Sequence, residues 1–513
     1  MAPVSGNRQA RSFRLHDTQG GFHYYSEPSG SLSLPQESTE MSQAESAGDP
    51  LGTRPVEDLP RVLGLFDAVT VVVGSIIGSG IFLSKVGKVA AELNAFGPII
   101  CVWIGVGLVT LCGSLALAEL AAMYPRAGGP YLYLREAYGT LPAFLWGWTE
   151  FWVIRTGSIG ALACATVIYL NELVRLSHFE QAFLAIAIVL GLSATNYVST
   201  RWGATVQNFT TFLKLSFLAA IICLPVIFGR AEAANLIPVW PAAASPSLWK
   251  GVGVAMIAVL WPYDGWINIA PVAEEIRDPQ RNVPRGLALG MLIVITVYVG
   301  ANISYHLTLP MDELARIPDP TTGKIGPTST VASDLFAVLF GSRGRQIAAL
   351  GVMCSTFGAV NSNMLTGPRI YFAMARDRLL PAAICKVHNS YQTPGNAILI
   401  QAAWTTILLI VFFAFNESPR DAFDGMTDSV IFGGLVFYSL AVGAVYVLRR
   451  TQPDVPRPYR TWGYPVTPAL LLVAYAGVAV SELIERPAET RGVAALIAAG
   501  VVYYVFVKRR KRS

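Results

Sequence analysis

The chain has 513 residues, of which 53% are hydrophobic and 14% are charged, with a formal net charge of +5. Soluble domains carry about a quarter charged residues, so this composition excludes a soluble enzyme and predicts a polytopic membrane protein. The six cysteines have no C-x-x-C spacing and the five histidines are scattered, so neither residue type indicates a metal site.

Residues 1–57 differ in composition from the rest of the chain. They are rich in Ser, Gly, Gln, Glu and Pro and contain no apolar run, which predicts a disordered cytoplasmic tail. Without an apolar segment this tail is not a cleaved signal peptide. We assign residues 58–508 to a transmembrane domain and residues 509–513 to a short basic cytoplasmic tail.

About twelve apolar segments follow the tail, each close to the length of about 20 residues that a membrane-spanning helix needs. They lie near 62–91, 96–123, 140–170, 180–198, 203–229, 250–275, 286–309, 345–375, 394–415, 427–448, 465–484 and 490–507. An even number of spans places both termini on one side of the membrane. The connections on that side hold most of the arginines, and the chain ends in KRRKRS. The positive-inside rule therefore places both termini in the cytoplasm.

Two of these spans are interrupted near their middle. The first contains GSIIGSGIF (74–82), and the sixth contains AVLWPYDGWIN (258–268). Main-chain groups left unpaired in hydrocarbon are costly, so irregular backbone at that depth must line a cavity or pack on protein. The spacing of Gly74 and Gly78 by itself is equally typical of close helix packing.

The interrupted spans begin two successive blocks of five, 62–229 and 250–448, and two further helices follow at 465–507. Interruptions at corresponding places in two halves indicate a transporter whose site lies between inverted repeats. Freed N–H groups at one helix end attract an anion, and freed carbonyls at another attract a cation. A zwitterion such as an amino acid would satisfy both.

The motifs resemble the amino acid–polyamine–organocation (APC) superfamily, in particular its L-type amino acid transporter branch. Besides the two interrupted segments, the resemblance rests on LALAELAAMYPRAGGPYLYLREAYG, on STFGAVNSNMLTGPRIYFAMARDRLLP and on RPYRTWGYPV. It extends from about residue 60 to residue 480. It implies an all-α integral membrane fold, a 5+5 inverted repeat with discontinuous helices 1 and 6, and two extra C-terminal helices.

The resemblance also implies where an amino acid would bind. The expected substrate-binding residues lie at the two interruptions and are Ile76, Gly78, Ser79, Gly80, Trp261, Asp264 and Gly265. Ser79 and the amides beside it would hold the substrate carboxylate. Carbonyls of Ile76, Trp261 and Asp264 would meet the ammonium group, and Trp261 would cover the substrate on the extracellular side. Tyr263 and Trp266 are pocket or packing residues, with packing favoured for Trp266.

Lys214 lies deep in the fifth span and matches a lysine of the family. We expect its amino group to bond the carbonyls freed by the first interruption, where sodium-coupled relatives hold an ion, so transport should not need sodium. Snorkelling of Lys214 to the membrane surface is the alternative. Ser355 and Thr356 are expected either as its neighbours or as helix-packing residues.

Charged residues near the second interruption have competing interpretations. Arg155, in the third span, is expected to pair with Asp264, although Asp264 could instead meet a cationic substrate side chain and Glu150 could share Arg155. Glu274 and Glu275 follow the sixth span and are expected to form an inner gate, with a solvated loop as the alternative. Glu119, by contrast, is expected to be structural.

The resemblance implies a secondary transporter of L-amino acids that works by alternating access, without sodium, by exchange or with a proton, and with neutral amino acids favoured. A cationic amino acid or polyamine antiporter is the alternative within transport, and a non-transporting amino acid sensor is the alternative outside it. An enzyme is not expected, because no nucleophile–base pair, metal spacing or phosphate-binding loop occurs.

The expected partners are the amino acid and membrane lipid, with no cofactor, metal ion or nucleic acid. Animal members of the branch attach to a single-pass glycoprotein through a cysteine after the third span. The corresponding loop here, NELVRLSHFEQ (171–181), contains no cysteine, so we expect no disulfide-linked heavy subunit and leave self-association open. The expected location is the plasma or inner cell membrane.

Overall fold

The computed structural model describes residues 58–82, 85–243, 246–315, 330–415, 419–485 and 487–510. The expected tail, residues 1–57, and residues 511–513 of the expected basic tail therefore lie outside the described residues. Within the described ranges the chain is mostly helical and has no β-strand, only one isolated bridge.

The first half of the protein contains the helices of the first five expected spans, including the interrupted first span. In chain order they are α1 (Leu65–Ile76), α2 (Lys85–Leu93), α3 (Phe96–Met123), α4 (Pro130–Tyr138), α5 (Thr140–Thr149), α6 (Arg155–Leu173), α7 (His178–Val198) and α8 (Thr200–Ile227). A π-helical turn, Glu150–Ile154, joins α5 to α6, and a short 3₁₀ helix, Ala233–Leu236, follows α8.

The second half contains α9 (Pro246–Leu260), α10 (Pro279–Thr308), α11 (Met311–Ala315), α12 (Val331–Phe340), α13 (Ser342–Thr366), α14 (Pro368–Arg376), α15 (Gly395–Phe415), α16 (Pro419–Thr451), α17 (Val466–Glu485) and α18 (Pro487–Arg510). Two 3₁₀ segments, Trp266–Glu275 and Ala382–Cys385, complete it. Each expected span coincides with one helix or with a pair of them. Helix α18 continues to Arg510, so the basic segment expected as a tail begins inside a helix.

Seven helices in the described ranges are long and apolar enough to cross a membrane, counting Thr140–Leu173 as one. The shorter apolar helices include α1 and α9, which are the first halves of the interrupted spans. This arrangement confirms the prediction of an all-α, multi-pass membrane protein.

Both predicted interruptions are present. Residues 77–82, here called the first break, are not helical and separate α1 from α2. Residues 261–265, the second break, form turns after α9, and the chain continues as the 3₁₀ segment Trp266–Glu275 rather than as an α-helix. Pro271 inside that segment has no N–H to donate, which accounts in part for the missing α-helical ladder.

Two further interruptions occur at places where none was expected. The π-helical turn Glu150–Ile154 interrupts the third span, and Gly367 separates α13 from α14 in the eighth. These two irregular stretches face one another, because a Cβ on Gly367 would lie 2.7 Å from Cγ of Arg155.

The chain just before α1 is paired with the chain just after the 3₁₀ segment. The Leu63 N–H donates to the Glu275 carbonyl (2.9 Å), and the Arg277 N–H donates to the Leu63 carbonyl (2.8 Å). These bonds form a parallel bridge between Leu63 and Ile276. The start of the first interrupted span and the end of the sixth are therefore joined by main-chain hydrogen bonds.

Candidate functional site

The two breaks are in direct contact. Gly80 lies against Pro262, where an added Cβ would come within 2.9 Å of the proline. Gly265 has φ +101°, a conformation that favours glycine, and an added Cβ would lie 2.8 Å from the Ser75 carbonyl oxygen. The hydroxyl of Tyr298 donates to the carbonyls of both Pro262 (2.9 Å) and Ile76 (3.2 Å). Close approach of the two interrupted segments thus explains Gly80 and Gly265, whereas Gly74 lies against side chains of α8.

The carbonyls freed by the first break are bonded by side chains from other helices. Lys214 on α8 is fully buried, and its Nζ lies 2.8 Å from the Gly74 oxygen and 2.7 Å from the Ile77 oxygen. The Ser355 hydroxyl donates to the oxygens of Ile77 (3.2 Å) and Gly78 (2.7 Å). The expected contact of Lys214 is confirmed, and the snorkelling alternative is wrong because the amino group points to the protein interior.

Ser355 and Lys214 both donate to the Ile77 carbonyl. Ser355 is therefore a neighbour of Lys214, which was one of its two expected roles. Thr356 does not bond the break; its hydroxyl accepts a hydrogen bond from Thr166 (2.8 Å) on α6. Thr356 is therefore a helix-packing residue.

A cavity with about 480 Å³ of empty space lies between the two breaks, α6 and α13. All seven residues expected at the substrate site line this cavity: Ile76, Gly78, Ser79, Gly80, Trp261, Asp264 and Gly265. The Ser79 hydroxyl is buried and has no hydrogen-bond partner among the described residues, so it is available to a ligand. Ser158, Asn268 and Asn363 also line the cavity and were not expected there.

A second cavity, with about 440 Å³ of empty space, lies on the other side of Trp261 and Asp264. Its walls are mainly apolar and come from α9, α16 and α17, and they include the hydroxyl-bearing Tyr438 and Tyr475. Trp261 and Asp264 line both cavities and therefore form the partition between them. A partition is the position that a gating side chain would occupy, as expected of Trp261.

The expected ion pair between Arg155 and Asp264 is wrong. The Nε of Arg155 lies 2.9 Å from Oε2 of Glu150, and no ion pair to Asp264 occurs in the described part of the chain. The physical reason is the π-helical turn between the two paired residues. Residues five apart do not face each other on a regular α-helix, but the wider π turn brings Glu150 and Arg155 to the same side.

Glu274 and Glu275 form a cluster with two arginines of α14, here called the charge cluster. The carboxylate of Glu275 lies 2.6 Å from Nη2 of Arg369, and these side chains are 1% and 0% exposed. Glu274 lies 2.9 Å from Nη1 of Arg376 and also accepts the N–H of Leu59 (2.8 Å). The solvated-loop alternative is therefore wrong. The role of these two arginines was not predicted from the sequence, in which they were assigned only to a basic connection between spans.

Three other residues of the motifs have packing or structural roles. Glu119 pairs with Arg449 (2.6 Å) and lies away from the cavity, as expected. The Tyr263 hydroxyl donates to the Trp103 carbonyl (3.1 Å), and Trp266 is fully buried. The burial of Trp266 agrees with the prediction that it is a packing residue.

No group of three or more His, Cys, Asp or Glu side chains that could hold a metal ion occurs among the described residues. All six cysteines lie in the described ranges and are free, and Cys164 is buried while Cys101 and Cys223 are exposed.

Comparison with known proteins agrees with this geometry. Residues 63–507 match the family described as amino acid permease. The chain is 33% identical over 458 residues to the serine/threonine exchanger SteT of Bacillus subtilis, covering 89% of this chain and 98% of that protein. It is 29% identical over 440 residues to the human b(0,+)-type amino acid transporter 1, covering 84% of each. It is 30% identical over 484 residues to the rabbit large neutral amino acids transporter small subunit 2, covering 92% and 84%. The chain therefore belongs to the amino acid permease family, within the L-type branch of the APC superfamily.

Proposed function

We propose that this protein exchanges L-amino acids across the cell membrane by alternating access and without sodium. The observation that carries the proposal is the meeting of two helix breaks at a cavity, with the amino group of Lys214 on the carbonyls of the first break. Irregular backbone at mid-membrane is tolerated where it lines a cavity, and transporters use it to bind substrates.

The first break supplies groups for the α-carboxylate of the substrate. The Gly80 amide and the unpaired Ser79 hydroxyl are the proposed donors at the cavity wall. The Gly78 N–H, expected as a further donor, donates to the Ile76 carbonyl (2.8 Å) in this structure. Carbonyl oxygens of Ile76, Trp261 and Asp264 are the proposed acceptors for the α-ammonium group. The main chain thus contacts the atoms that every amino acid shares.

Lys214 accounts for the proposed independence from sodium. A cation could be bound at the carbonyls of Gly74 and Ile77, but the Lys214 amino group already donates to both. A lysine tethered to the protein provides the same electrostatic complement without an ion that must be released in each cycle.

The charge cluster is the proposed inner gate. Its four side chains join the inner half of the interrupted sixth span, Trp266–Glu275, to α14. With both termini cytoplasmic, this cluster closes the cytoplasmic path, and its ion pairs must separate when the substrate leaves on that side.

Exchange of neutral amino acids is the proposed activity, since the relative from Bacillus subtilis is named a serine/threonine exchanger and another relative is named for large neutral amino acids. A specific observation favours cationic amino acids as the second candidate. Asp264 lines both cavities and has no ion-pair partner in the described ranges. A lysine or arginine side chain could supply the missing positive charge.

We also propose that the protein works without a heavy subunit. The rabbit relative is named a small subunit, but the connection between α6 and α7 in this chain contains no cysteine for a covalent link. Transport by the protein purified alone is the corresponding expectation.

The test is uptake into liposomes that contain only the purified protein. Radiolabelled serine, leucine and arginine are supplied outside, with or without amino acid inside, in sodium or choline buffer and at two pH values. We expect uptake that needs internal amino acid and is unchanged without sodium. Uptake of none of the three substrates would contradict transport, while binding without uptake would support the sensor alternative.

A further inference from the structure

Two buried asparagines on the cavity wall share one hydrogen-bond donor. Asn268 lies on the 3₁₀ segment after the second break, and Asn363 lies on α13. The exposed fraction of each residue is small, 5% for Asn268 and 6% for Asn363. Nη1 of Arg155 lies 2.8 Å from Oδ1 of Asn268 and 2.6 Å from Oδ1 of Asn363. One guanidinium nitrogen therefore contacts both amides.

This contact determines which end of each amide meets Arg155. A guanidinium group only donates hydrogen bonds, so it must meet the amide oxygens and leave the amide nitrogens pointing elsewhere. The Nδ2 of Asn363 donates to the Ala359 carbonyl in its own helix (2.9 Å). The Nδ2 of Asn268 has no acceptor among the described residues, although Asn268 lines the cavity and is almost completely buried.

Arg155 is held firmly enough to keep this orientation. Glu150, fully buried, accepts from its Nε at 2.9 Å, and Thr366 lies 3.4 Å from its Nη1. The stem packs against Gly367, which has no room for a side chain. The donor on Asn268 is therefore preorganised, because each group behind it has a fixed partner.

We propose that Asn268 donates a hydrogen bond to the side chain of the transported amino acid and that Arg155 is the positioning residue that presents this donor. The inference rests on the proposed function and narrows its substrate class. The first break is assigned to the α-carboxylate, whereas Asn268 follows the second break and contacts the other end of the substrate. A side-chain hydroxyl or carboxamide supplies an acceptor, but a hydrocarbon side chain leaves the buried donor unpaired. The site therefore prefers serine, threonine or asparagine over alanine or valine.

The test compares side-chain preference in liposomes that contain the purified protein. Uptake of serine and of alanine is measured at several concentrations for the wild type, Asn268→Leu, Arg155→Lys and the double variant. Asn268→Leu is expected to lower the serine-over-alanine ratio of kcat/KM by about tenfold, the effect of one hydrogen bond, and to retain alanine uptake. If Asn268→Leu does not reach the membrane, Asn268→Ala makes the same comparison without a branched side chain.

Arg155→Lys keeps a positive charge beside Glu150 but loses the planar fork that holds two amides. It is expected to lower the same ratio in the wild-type background and to leave it unchanged in the Asn268→Leu background. A purely structural role would lower uptake of both substrates equally. Asn302→Ala is the matched control, since Asn302 is a buried asparagine outside the cavity whose Nδ2 donates to the Tyr298 carbonyl (2.8 Å).

An unchanged serine-over-alanine ratio in variants that still transport would overturn the inference and leave the proposed function standing. A wild-type protein that takes up serine and alanine equally well would overturn it too. A wild-type protein that takes up no amino acid would instead overturn the proposed function.

Discussion

The two interrupted helices differ in the polar groups that they present to the rest of the protein. In the first, the freed groups are main-chain carbonyls, and Lys214 and Ser355 from other helices donate to them. In the second, the charged groups are carboxylates of the helix itself: Glu274 and Glu275 face arginines, and Asp264 has no ion-pair partner among the described residues. The first interrupted helix thus presents mainly main-chain groups, which every residue carries, whereas the second also presents charged side chains.

This difference separates two tasks. Main-chain groups cannot be altered by substitution, so the first break suits the α-carboxylate that all amino acids share, and the main-chain carbonyls of both breaks suit the α-ammonium group. Side chains are free to differ between proteins, so the second interrupted helix suits substrate choice and gating. Changes on the first helix should therefore affect all substrates alike, and changes around Asp264 should affect them unequally.

The largest effect on stability and transport is expected from a substitution in the charge cluster. Arg369→Gln leaves the carboxylate of Glu275 buried without its partner, and breaking a buried pair in this way costs about 3–5 kcal/mol. The variant should have a clearly lower Tm in detergent and lose most exchange activity. The double variant Arg369→Gln with Glu275→Gln should recover part of the Tm, because no unpaired charge remains.

The control for this change is Arg378→Gln, since Arg378 lies on the same connection and is exposed. It should keep the wild-type Tm. Equal stability of Arg369→Gln and Arg378→Gln would show that the buried pair does not hold the inner end closed.

The next largest effect is expected at the first break. Lys214→Ala removes the donor to the carbonyls of Gly74 and Ile77, and a buried acceptor left unpaired costs about 1–3 kcal/mol. Initial uptake per amount of protein should fall about a hundredfold for every substrate. Lys250→Ala, at an exposed lysine of α9, should transport normally, and normal uptake by Lys214→Ala would remove this lysine from the mechanism.

A smaller effect is expected where the two breaks touch. Gly265→Ala forces a side chain into a left-handed conformation and places its Cβ 2.8 Å from the Ser75 oxygen, which costs about 1–3 kcal/mol. Initial uptake should fall about tenfold. Gly253→Ala is the control, because nothing lies within 4 Å of the Cβ position there. Wild-type rates in Gly265→Ala would mean that the breaks do not need their close contact.

The smallest effect on neutral substrates is expected at Asp264. Asp264→Asn keeps the shape and hydrogen-bonding capacity of the side chain, so leucine or serine uptake should change by less than about 1 kcal/mol in kcat/KM. Competition by arginine and lysine is the discriminating measurement. Strong competition in the wild type that disappears in Asp264→Asn would establish the cationic candidate and overturn neutral exchange.

The positions of the spans and of both breaks were predictable because their signals are local. Glycines at 74, 78 and 80, and a proline and a glycine at 262 and 265, mark breaks within a few residues of where they occur. The contact of Lys214 was predictable from the family resemblance and from the cost of a buried amino group. The 3₁₀ character of the segment after the second break was not predicted, although Pro271 removes a main-chain donor inside it.

The arrangement around Arg155 was predicted only in part, because Asp264 was the expected partner and Glu150 was named only as a residue that could share Arg155. Its partner Glu150 is brought into reach by a π-helical turn in EFWVI, a stretch without glycine or proline. Arg369 is 94 residues from Glu275 in the chain, and only the packing of α14 brings them together. The proposed role of Asn268 could not be predicted from the sequence either, because it depends on which end of its amide meets the guanidinium group of Arg155 on another helix.

The parallel bridge between Leu63 and Ile276 has a mechanical consequence for gate opening. It joins the chain that leads into α1 to the end of the 3₁₀ segment Trp266–Glu275, and Glu274 also accepts the Leu59 N–H just before α1. We therefore expect the two joined segments to move together, so that one displacement separates both carboxylates from their arginines. A resting state with one ion pair broken and the other intact would contradict this linkage.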